Sequence, residues 1–360
     1  MFVKELRTGV TTGLCAAAAA KAATVALLSA NAVEEVAVTA KNGETKTFAV
    51  TDAVYERDRA RCAVQKDAGD DPDITHGLKI FATVSKTEGE EIEIDGGAGV
   101  GRVTKPGLKV QVGSAAINPA PREMIRSAIE GVCKTYAYSG GVRAVISIPG
   151  GREIAKKTLN ERLGVVGGLS VLGTTGIVEP MSNKAIVETI KTEIDVQMAS
   201  GKDTLLVTPG NYGRAFAGEV LGLDIDDAVK CANFIGETLD YACAKGVRQI
   251  TLIGHAGKLV KLAGGIMNTH SAIADCRMEI IAAHCALHHS DAESIRQILA
   301  CTTTQAAIEV MRQIGVNDAV WESIGQKIGY HLRERTRGSI RVQYIVFTEE
   351  HGVLCKGATG

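Results

Sequence analysis

The sequence predicts an N-terminal α+β domain over residues 1–140, followed by an α/β domain with a mainly parallel sheet over residues 141–360. Three observations support this fold class. The chain has 360 residues, a length typical of about two domains. Strand-like runs separated by turns dominate the first part, whereas strand-like and helical runs alternate in the second. Because such alternation is typical of βαβ units, the second sheet is expected to be mainly parallel.

The N-terminal domain is expected to open with an alanine-rich helix over 13–29, which Thr11 or Thr12 can cap. An Asn-Gly pair at positions 42 and 43 separates two β-like runs and therefore predicts a hairpin. Apolar residues at helical spacing predict a second helix over 119–137. The strand-like runs of this domain are 33–40, 44–50, 61–65, 78–85 and 91–94.

The pattern changes after Ser139-Gly140-Gly141, and the predicted domain boundary lies there. Apolar runs of strand length follow, with helical runs between them. The expected strands are 142–149, 164–173, 204–210, 248–257 and 340–347. The expected helices are 184–199 and 227–245, with several more between 258 and 335.

Composition excludes several classes of protein. Forty Lys and Arg residues against 41 Asp and Glu give a net charge of -1, so the chain lacks the basic field of a general nucleic-acid binder. Nine cysteines without a CxxC pair argue against a disulfide framework or a structural zinc site, and they suit a reducing cytoplasm. The apolar run Ala16–Ala20 ends at Lys21 and is expected to be too short for a membrane span. We therefore expect a cytoplasmic protein without nucleic-acid or membrane partners.

Three predicted strands end in glycine beside small polar side chains. Their sequences are LSVLGTTGIVEP (169–180), LLVTPGNYG (205–213) and TLIGHAGK (251–258). Ligands of open α/β sheets bind at the carboxyl ends of strands, where such turns expose backbone N–H groups. Each turn alone is also typical of a plain tight turn, but three of them in one predicted domain favour a ligand pocket.

The segment RTGVTTG (7–13) leads into the first helix and is a candidate anion site. Unpaired N–H groups at a helix N-terminus attract carboxylate or phosphate, and Arg7 can add a bidentate contact. An ordinary capped helix is the structural alternative. The segment also has features of the phosphate loops of small-molecule kinases, although it lacks the GxxxxGK(S/T) form.

Several ionisable residues are candidates for acid–base work. The loop Asp67–Gly77 carries four aspartates and His76, which suit a cation site, proton transfer or a solvated turn. His255 directly follows a predicted strand, where an imidazole is well placed to transfer a proton. His284 and His288 are four apart on a predicted helix, but no acidic residue stands at HExxH spacing, so no metal site is predicted.

Taken together, several segments resemble one family, the cobalt-precorrin-5B C1-methyltransferases of anaerobic cobalamin biosynthesis. The resemblance rests on uncommon strings in the family's order, from residue 7 to about residue 290. Val10, Leu14 and Ala232 differ from the residues more usual at these positions. The strings are RTGVTTGLCAAAAAKAA (7–23), KDAGDDPDITHG (66–77), GAGVGRVTKPGL (97–108), INPAPREMI (117–125), TLNERLGVVGGLSVLGTTGIVEPMS (158–182), TPGNYG (208–213), KCANFIGE (230–237) and GHAGKLVKLAGGIMNTHS (254–271).

The resemblance implies that S-adenosylmethionine donates a methyl group to C1 of a cobalt-containing corrinoid, giving cobalt-precorrin-6A. Cobalt then belongs to the substrate, which is a large flat ring fringed with carboxylates. A homo-oligomer and transient contacts with other pathway enzymes are left open. The alternatives are a small-molecule kinase with a phosphate loop at 8–13, or a non-enzymatic carrier of a cobalt-tetrapyrrole.

Candidate site residues follow from these motifs. The residues expected to polarise or orient the ring are His255, His270 and Asp71. The predicted donor pocket consists of Gly173, Thr174, Thr175, Gly176, Glu179, Thr208, Gly210 and Asn211. The residues expected to bind substrate carboxylates are Arg7, Thr11, Thr12, Arg102, Lys105, Lys258 and Lys261.

Overall fold

The computed structural model describes residues 6–288 and 290–359. The chain divides into two compact units, of which the first ends at Ser182 and the second begins at Asn183. The first unit combines helices with a mixed sheet, and the second surrounds a mainly parallel sheet with helices. The predicted fold classes are therefore confirmed, but the division between the units lies after Ser182 rather than at 140/141.

The first unit is built on one long apolar helix, a hairpin and a sheet. The predicted first helix, hairpin and 119–137 helix are all present. The helices are α1 (Thr12–Ser29), α2 (Pro119–Thr135) and α3 (Gly151–Ala155). The strands are β1 (Gly9–Val10), β2 (Glu35–Thr39), β3 (Thr45–Ala49), β4 (Thr51–Glu56), β5 (Arg59–Gln65), β6 (Lys79–Thr87), β7 (Ile92–Gly96), β8 (Gly99–Val100), β9 (Arg102–Val103), β10 (Gly141–Ser147), β11 (Val165–Val166), β12 (Gly168–Leu169) and β13 (Ile177–Val178).

The position of β10 explains why the predicted boundary differs from the observed one. The strand order of the first sheet is β4-β5-β6-β10-β7, and β10 pairs antiparallel with β6 and parallel with β7. An interior strand of any sheet that is covered on its faces is rich in apolar residues. The composition of 142–149 therefore predicts an interior strand without indicating to which sheet it belongs.

The predicted strand over 164–173 is wrong. Only the two-residue strands β11 and β12 form there, and they pair with β9 and β8 of the same unit. Gly164 and Gly167 have φ angles of 80° and 85°, a left-handed conformation that interrupts an extended chain. Consequently, Gly173–Gly176 follows a two-residue strand of the first unit and not a strand of the five-stranded, mainly parallel sheet, as the prediction required.

Helix α1 is the central helix of the first unit. It is long and apolar enough to cross a membrane, so the expectation that its apolar run is too short is wrong, but 78% of it is buried inside the unit. It packs against α2, β5 and β6, and alanine lets these neighbours approach closely. Its apolar composition is accounted for by this burial in a protein core.

The second unit contains the parallel sheet and most of the helices. Its strands are β14 (Thr204–Thr208), β15 (Val229–Lys230), β16 (Gln249–His255), β17 (Arg341–Thr348) and β18 (Gly352–Ala358). Its helices are α4 (Asn183–Ala199), α5 (Asn211–Glu219), α6 (Ile235–Ala244), α7 (Ala256–Leu259), α8 (Arg277–Ala286), α9 (Ala292–Ala300), α10 (Thr304–Gln313) and α11 (Asn317–Thr336), with a 3-10 helix at Val260–Gly264.

The strand order of the second sheet is β15-β14-β16-β17-β18, with only the edge strand β18 antiparallel to its neighbour. The predicted strands 204–210, 248–257 and 340–347 are confirmed. The predicted helix over 227–245 is wrong in its first part, where β15 forms, and α5 and β18 were not predicted. Glycines in NYGRAFAGE and GVLCKGA weaken the propensity signals of these two elements.

Candidate functional site

The parallel sheet of the second unit has a switch point between β14 and β16. The chain leaves β14 through α5 toward β15 on one side, and it leaves β16 toward β17 on the other side. Adjacent strands with oppositely directed connections leave a crevice at their carboxyl ends, which is the usual ligand site of open α/β sheets. We call this region, residues 208–211 and 254–258, the switch crevice.

Lys258 joins the two sides of the switch crevice. Its Nζ donates to the carbonyl oxygen of Pro209 at 2.9 Å and to that of Ala232 at 3.4 Å. Burial lowers the pKa of Lys258. An ammonium group carries three donors, and the third has no acceptor among the residues that the structure describes. The crevice therefore presents one charge-assisted donor to a ligand.

Three predicted donor-pocket residues lie on the β14 side of this crevice. Asn211 Oδ1 accepts a hydrogen bond from Lys230 Nζ at 2.8 Å. A Cβ placed on Gly210 would meet no atom within 4 Å, so space is open beside its backbone. The Thr208 hydroxyl is buried and has no hydrogen-bond partner within 6–288 and 290–359. Tyr212, which follows Asn211 in α5 and was not among the predicted site residues, is exposed.

His255 caps helix α7 at the other side of the crevice. Its Nδ1 accepts a hydrogen bond from Gly257 N at 3.1 Å, and its Nε2 lies 3.5 Å from Glu349 Oε2. This pattern assigns the proton of the neutral ring to Nε2. Burial lowers the pKa of His255, although Glu349 opposes the shift. Because the only lone pair is used by Gly257, His255 is suited to positioning Lys258 rather than to acting as a base.

Lys261 and His270 hold the loop that follows the 3-10 helix. The buried Lys261 Nζ donates to the carbonyl oxygens of Thr269 at 3.1 Å and Ala274 at 2.8 Å. His270 is exposed, and its Nδ1 accepts a hydrogen bond from Ala272 N at 3.1 Å. These contacts remove Lys261 from the residues available to substrate carboxylates. They also leave His270 with its proton on Nε2 and without a lone pair for base catalysis.

Arg7 and the acidic loop form an internal network in the first unit. Both terminal nitrogens of Arg7 contact the carboxylate of Asp67, with Nη2 at 3.0 Å from Oδ1. The hydrogen bond from Arg7 lowers the pKa of Asp67 to about 2. Asp71 Oδ1 accepts from the backbone N–H of Met181 at 2.9 Å, so it fixes a neighbouring segment. Arg7 and Asp71 thus have contacts within their own unit, and their roles at the ring stay predictions.

Residues of the first unit already form hydrogen bonds with the start of α1. Thr11 Oγ1 accepts from Leu14 N at 3.2 Å, and Gly13 N donates to Leu172 O at 2.8 Å. Thr12 is buried and exchanges hydrogen bonds with the backbone of Leu172. A phosphate loop needs unpaired N–H groups at this position. These contacts contradict the predicted anion site at 8–13, and the kinase alternative loses its basis.

The predicted donor pocket is divided between the two units. Gly173 lies against Thr11, where a Cβ would stand 2.2 Å from the hydroxyl oxygen, and Gly176 O accepts from Thr11 N at 2.9 Å. Thr174, Thr175 and Glu179 are exposed on the same unit. Thr208, Gly210 and Asn211 belong to the second unit. The eight residues therefore do not form one pocket within either unit.

Arg102 and Lys105 also contact their own unit. Arg102 Nη2 donates to Asp95 Oδ2 at 2.9 Å, and Lys105 Nζ donates to the carbonyl oxygen of Arg162 at 3.2 Å. Both side chains are exposed. Arg102 is neutralised by a carboxylate, so it is a weaker candidate for a substrate ligand than the sequence alone indicated.

A groove of about 640 Å³ lies between α1, α2 and the hairpin of β2 and β3. We call it the α1–α2 groove. The sequence does not reveal this groove, because Lys21 stands out only as the end of an apolar run and Lys41 belongs to no recognisable motif. Its volume is within the range of small-molecule pockets, about 300–1,000 Å³. Its residues are Lys21, Val25, Val38, Thr39, Lys41, Glu123, Met124, Ser127, Ala128, Gly131, Val132, Thr135 and Tyr136.

The structure also brings together Glu309, Glu350 and His351, whose ligand atoms lie within 4.8 Å of one another. His351 Nε2 is 3.1 Å from Glu309 Oε1 and 2.8 Å from Gln305 Nε2. Hydrogen bonds and ion pairing account for this cluster, and we base no assignment on it. His288 follows the end of α8 at Ala286, so the helical spacing predicted for it with His284 is not realised.

The fold and the switch crevice define a small-molecule-binding α/β protein. Comparisons with known proteins identify its family. The CbiD family model matches residues 2–180, close to the unit boundary, and the model of the CbiD C-terminal domain matches residues 268–358. The chain belongs to the CbiD family.

Two relatives with the same name illustrate the similarity. A cobalt-precorrin-5B C(1)-methyltransferase of Ruminiclostridium cellulolyticum is 52% identical over 346 residues, covering 96% of this chain and 90% of that protein. One of Methanocaldococcus jannaschii is 43% identical, covering 98% and 97%. A solved crystal structure, that of the cobalamin biosynthesis protein CbiD from Archaeoglobus fulgidus, has 32% sequence identity to this chain and superposes with a TM-score of 0.40. The match covers 72% of this chain and 80% of that one.

Proposed function

We propose that this protein transfers a methyl group from S-adenosylmethionine to C1 of cobalt-precorrin-5B. The observation that carries the proposal is 52% identity over 96% of the chain to a protein named for this reaction. Because the similarity covers 96% of the chain, it extends into both units. With nine free cysteines, the protein is suited to the cytoplasm, where we expect it to act.

The switch crevice has features that suit the methyl donor. S-adenosylmethionine has a carboxylate, a hydroxylated ribose and a flat base. Lys258 and the N–H groups at the start of α5 are suitable partners for the carboxylate, and the buried Thr208 hydroxyl is a suitable partner for a polar group. The open space at Gly210 lets a ligand approach the backbone. Of the residues expected to bind the donor, we retain Thr208, Gly210 and Asn211.

When bound, the donor supplies an electrophilic methyl group whose carbon–sulfur bond breaks as the ring carbon forms its new bond, with the electron pair remaining on sulfur. The protein's own contribution is then positioning of the two reactants. Lys258 holds the two strand ends together, and His255 fixes the start of α7 that carries Lys258. In this proposal neither residue moves a proton.

The test is methyl transfer by the purified protein. Incubation with cobalt-precorrin-5B and S-adenosylmethionine is expected to raise the mass of the corrinoid by one methyl group. Mass spectrometry of the extracted ring measures this change. A ring that binds but keeps its mass, in the presence of folded protein and donor, would instead support the carrier alternative and contradict the proposed reaction.

A further inference from the structure

We propose that the α1–α2 groove of the first unit binds the carboxylate-bearing macrocycle that the enzyme methylates. This inference rests on the proposed function, because that function supplies the chemistry of the ligand. The ligand is a broad flat ring with apolar faces and anionic arms at its rim. The groove combines the surface types that such a molecule requires, as the following contacts indicate.

The floor of the groove is apolar and comes from three separate segments. Val25 lies on α1, Val38 lies on β2, and Met124 and Val132 lie on α2. Val38, Met124 and Val132 are at most 8% exposed and are part of the first unit's hydrophobic core. A floor built on core residues is rigid, and its small exposed apolar area suits contact with part of one face of a flat ring.

The hairpin presents an open backbone edge to the groove. Ala40 N donates to Glu44 O, and Val50 N donates to Glu34 O. The backbone N–H and C=O groups of the even-numbered residues of β2 therefore point toward β3. Alternation of an antiparallel ladder directs the N–H and C=O groups of Ala37 and Thr39 away from β3. Lys21 Nζ donates to Ala37 O at 2.7 Å, which agrees with this direction. The N–H groups of this edge are donors for carboxylates, whereas its carbonyl oxygens accept from donors such as the Lys21 ammonium group.

The lining of the groove contains two ammonium groups and one carboxylate. Lys41 pairs with Glu123 across it, and Lys21 uses one of its three donors on Ala37. The lining therefore keeps one net positive charge for an anionic ligand. The side chain of Lys21 also interrupts the open edge, so the groove suits a compact polyanion better than a continuous added strand.

The first experiment measures binding of uroporphyrin, a stable tetrapyrrole with eight carboxylates, by titration of its visible absorption. Cobinamide, a cobalt corrin whose arms are amides, is the matched probe without peripheral carboxylates. We expect uroporphyrin to bind about tenfold or more tightly than cobinamide and to weaken with added salt. Equal affinities, or no binding of uroporphyrin, would overturn the inference.

Gly131 offers a direct way to block the groove. It lies within α2 and lines the groove, and a Cβ built there meets no atom within 4 Å. Gly131→Phe is expected to weaken uroporphyrin binding about tenfold by occupying the groove. Gly131→Ala is the control, which adds only a methyl group at the same position and is expected to bind like the wild type. Both changes replace glycine inside a helix, so neither should unfold the protein.

The ion pair of Lys41 and Glu123 supplies a second test, because replacing each partner is expected to change uroporphyrin affinity in the opposite direction. Lys41→Gln removes a charge that would contact the ring and is expected to weaken uroporphyrin binding about tenfold. Glu123→Gln removes the carboxylate that competes for Lys41 and is expected to strengthen the binding of uroporphyrin. Weakening of similar size in both variants would mean that the pair acts only by holding the two segments, and it would overturn the assigned role.

Failure of this inference is distinguishable from failure of the proposed function. If the wild type and Gly131→Phe both transfer the methyl group with equal KM for cobalt-precorrin-5B, the groove does not bind the ring. The proposed function would still stand in that case. Loss of turnover in the wild-type protein itself would reject the function. We expect methyl transfer by the wild type and a KM raised about tenfold in Gly131→Phe, with the KM for S-adenosylmethionine unchanged.

Discussion

Lys258 and Lys261 lie three residues apart and differ in what their ammonium groups contact. Lys258 is half-buried at the switch crevice and keeps one donor without a described acceptor. Lys261 is only 2% exposed and donates to two carbonyl oxygens of the loop after the 3-10 helix. Both ammonium groups thus hold backbone carbonyls, but only that of Lys258 keeps a donor for the ligand that we propose.

Matched methionine substitutions should separate these two roles. Lys258→Met is expected to raise the KM for S-adenosylmethionine, because a charged donor leaves the crevice, and to lower Tm less than Lys261→Met, because Lys258 is only half-buried. Lys261→Met is expected to lower the free energy of unfolding by about 1–3 kcal/mol, because buried carbonyl oxygens lose their donor. Steady-state kinetics and thermal unfolding measure the two effects. The reverse assignment of effects would contradict our description of the crevice.

The ion pair of Arg7 and Asp67 makes stability depend on pH in the acidic range. The pKa of Asp67 is lowered to about 2 by the hydrogen bond from Arg7, against about 3.9 for an unfolded chain. The stabilisation is therefore complete above about pH 4 and is lost as the pH falls through about 2. Because both side chains are more than half exposed, its size is expected to be below about 1 kcal/mol.

Asp67→Asn tests this linkage. The variant should be slightly less stable than the wild type at pH 7, and the difference should shrink between about pH 4 and pH 2. Urea unfolding at several pH values measures it. A difference that grows on acidification would show that Asp67 stabilises the fold through something other than its charged form.

At the scale of elements, helix α5 depends on glycine for its contact with β16. A Cβ on Gly213 would lie 2.6 Å from the backbone oxygen of Ile253, so α5 would have to shift. Gly210 precedes the helix in an extended conformation, and a Cβ there would meet no atom. One glycine therefore sets the helix position, whereas the other leaves space at the switch crevice.

Alanine at these two positions should have different effects. Gly213→Ala is expected to lower the free energy of unfolding by about 1–3 kcal/mol, because a backbone contact is overpacked. Gly210→Ala is expected to leave stability within about 0.5 kcal/mol and to raise the KM for S-adenosylmethionine. Chemical unfolding and kinetics distinguish them. An unchanged KM in Gly210→Ala would argue against a ligand close to this backbone.

Secondary structure was predictable where local signals were strong. The alanine-rich α1, the Asn-Gly hairpin and the buried strands β14, β16 and β17 follow from propensity and apolar runs. The pairing of β10 was not predictable, because it depends on contacts between distant segments. The strand predicted over 164–173 was wrong because Gly164 and Gly167 have left-handed φ angles, which the apolar run around them does not indicate.

The candidate site was less predictable than the fold. Residue type indicated that Arg7, Arg102 and Lys261 were suitable anion ligands, but their partners Asp67, Asp95 and Thr269 already occupy them. These contacts cannot be predicted from the sequence, because the partners come together only in the folded protein. Glycine-rich strand ends did predict the turns after β14 and β16, because that signal reflects backbone geometry, whereas the ligand pocket at these turns stays a prediction.

At the scale of the whole molecule, each unit has a hydrophobic core of its own. One core is formed by residues between Val10 and Val171, and the other by residues between Ile190 and Val346. Met181 is 70% exposed and stands next to the division between the units. An exposed segment between two cores is a preferred site of proteolytic cleavage.

Limited proteolysis should therefore cut first near Met181. We expect two resistant fragments, one ending and the other beginning close to residues 182 and 183, as identified by mass spectrometry. A first cut near residue 140 would instead support the boundary suggested by the change of sequence pattern. The position of β10 inside the first sheet argues against that result.

The transfer of a labelled methyl group tests the proposed activity most directly. The folded protein would be incubated with cobalt-precorrin-5B and donor carrying ¹³C in its methyl group, and the ring would be examined by NMR. We predict one new ¹³C methyl signal attached to ring carbon C1. A ring without incorporated label, or with label on another atom, would contradict the proposed function.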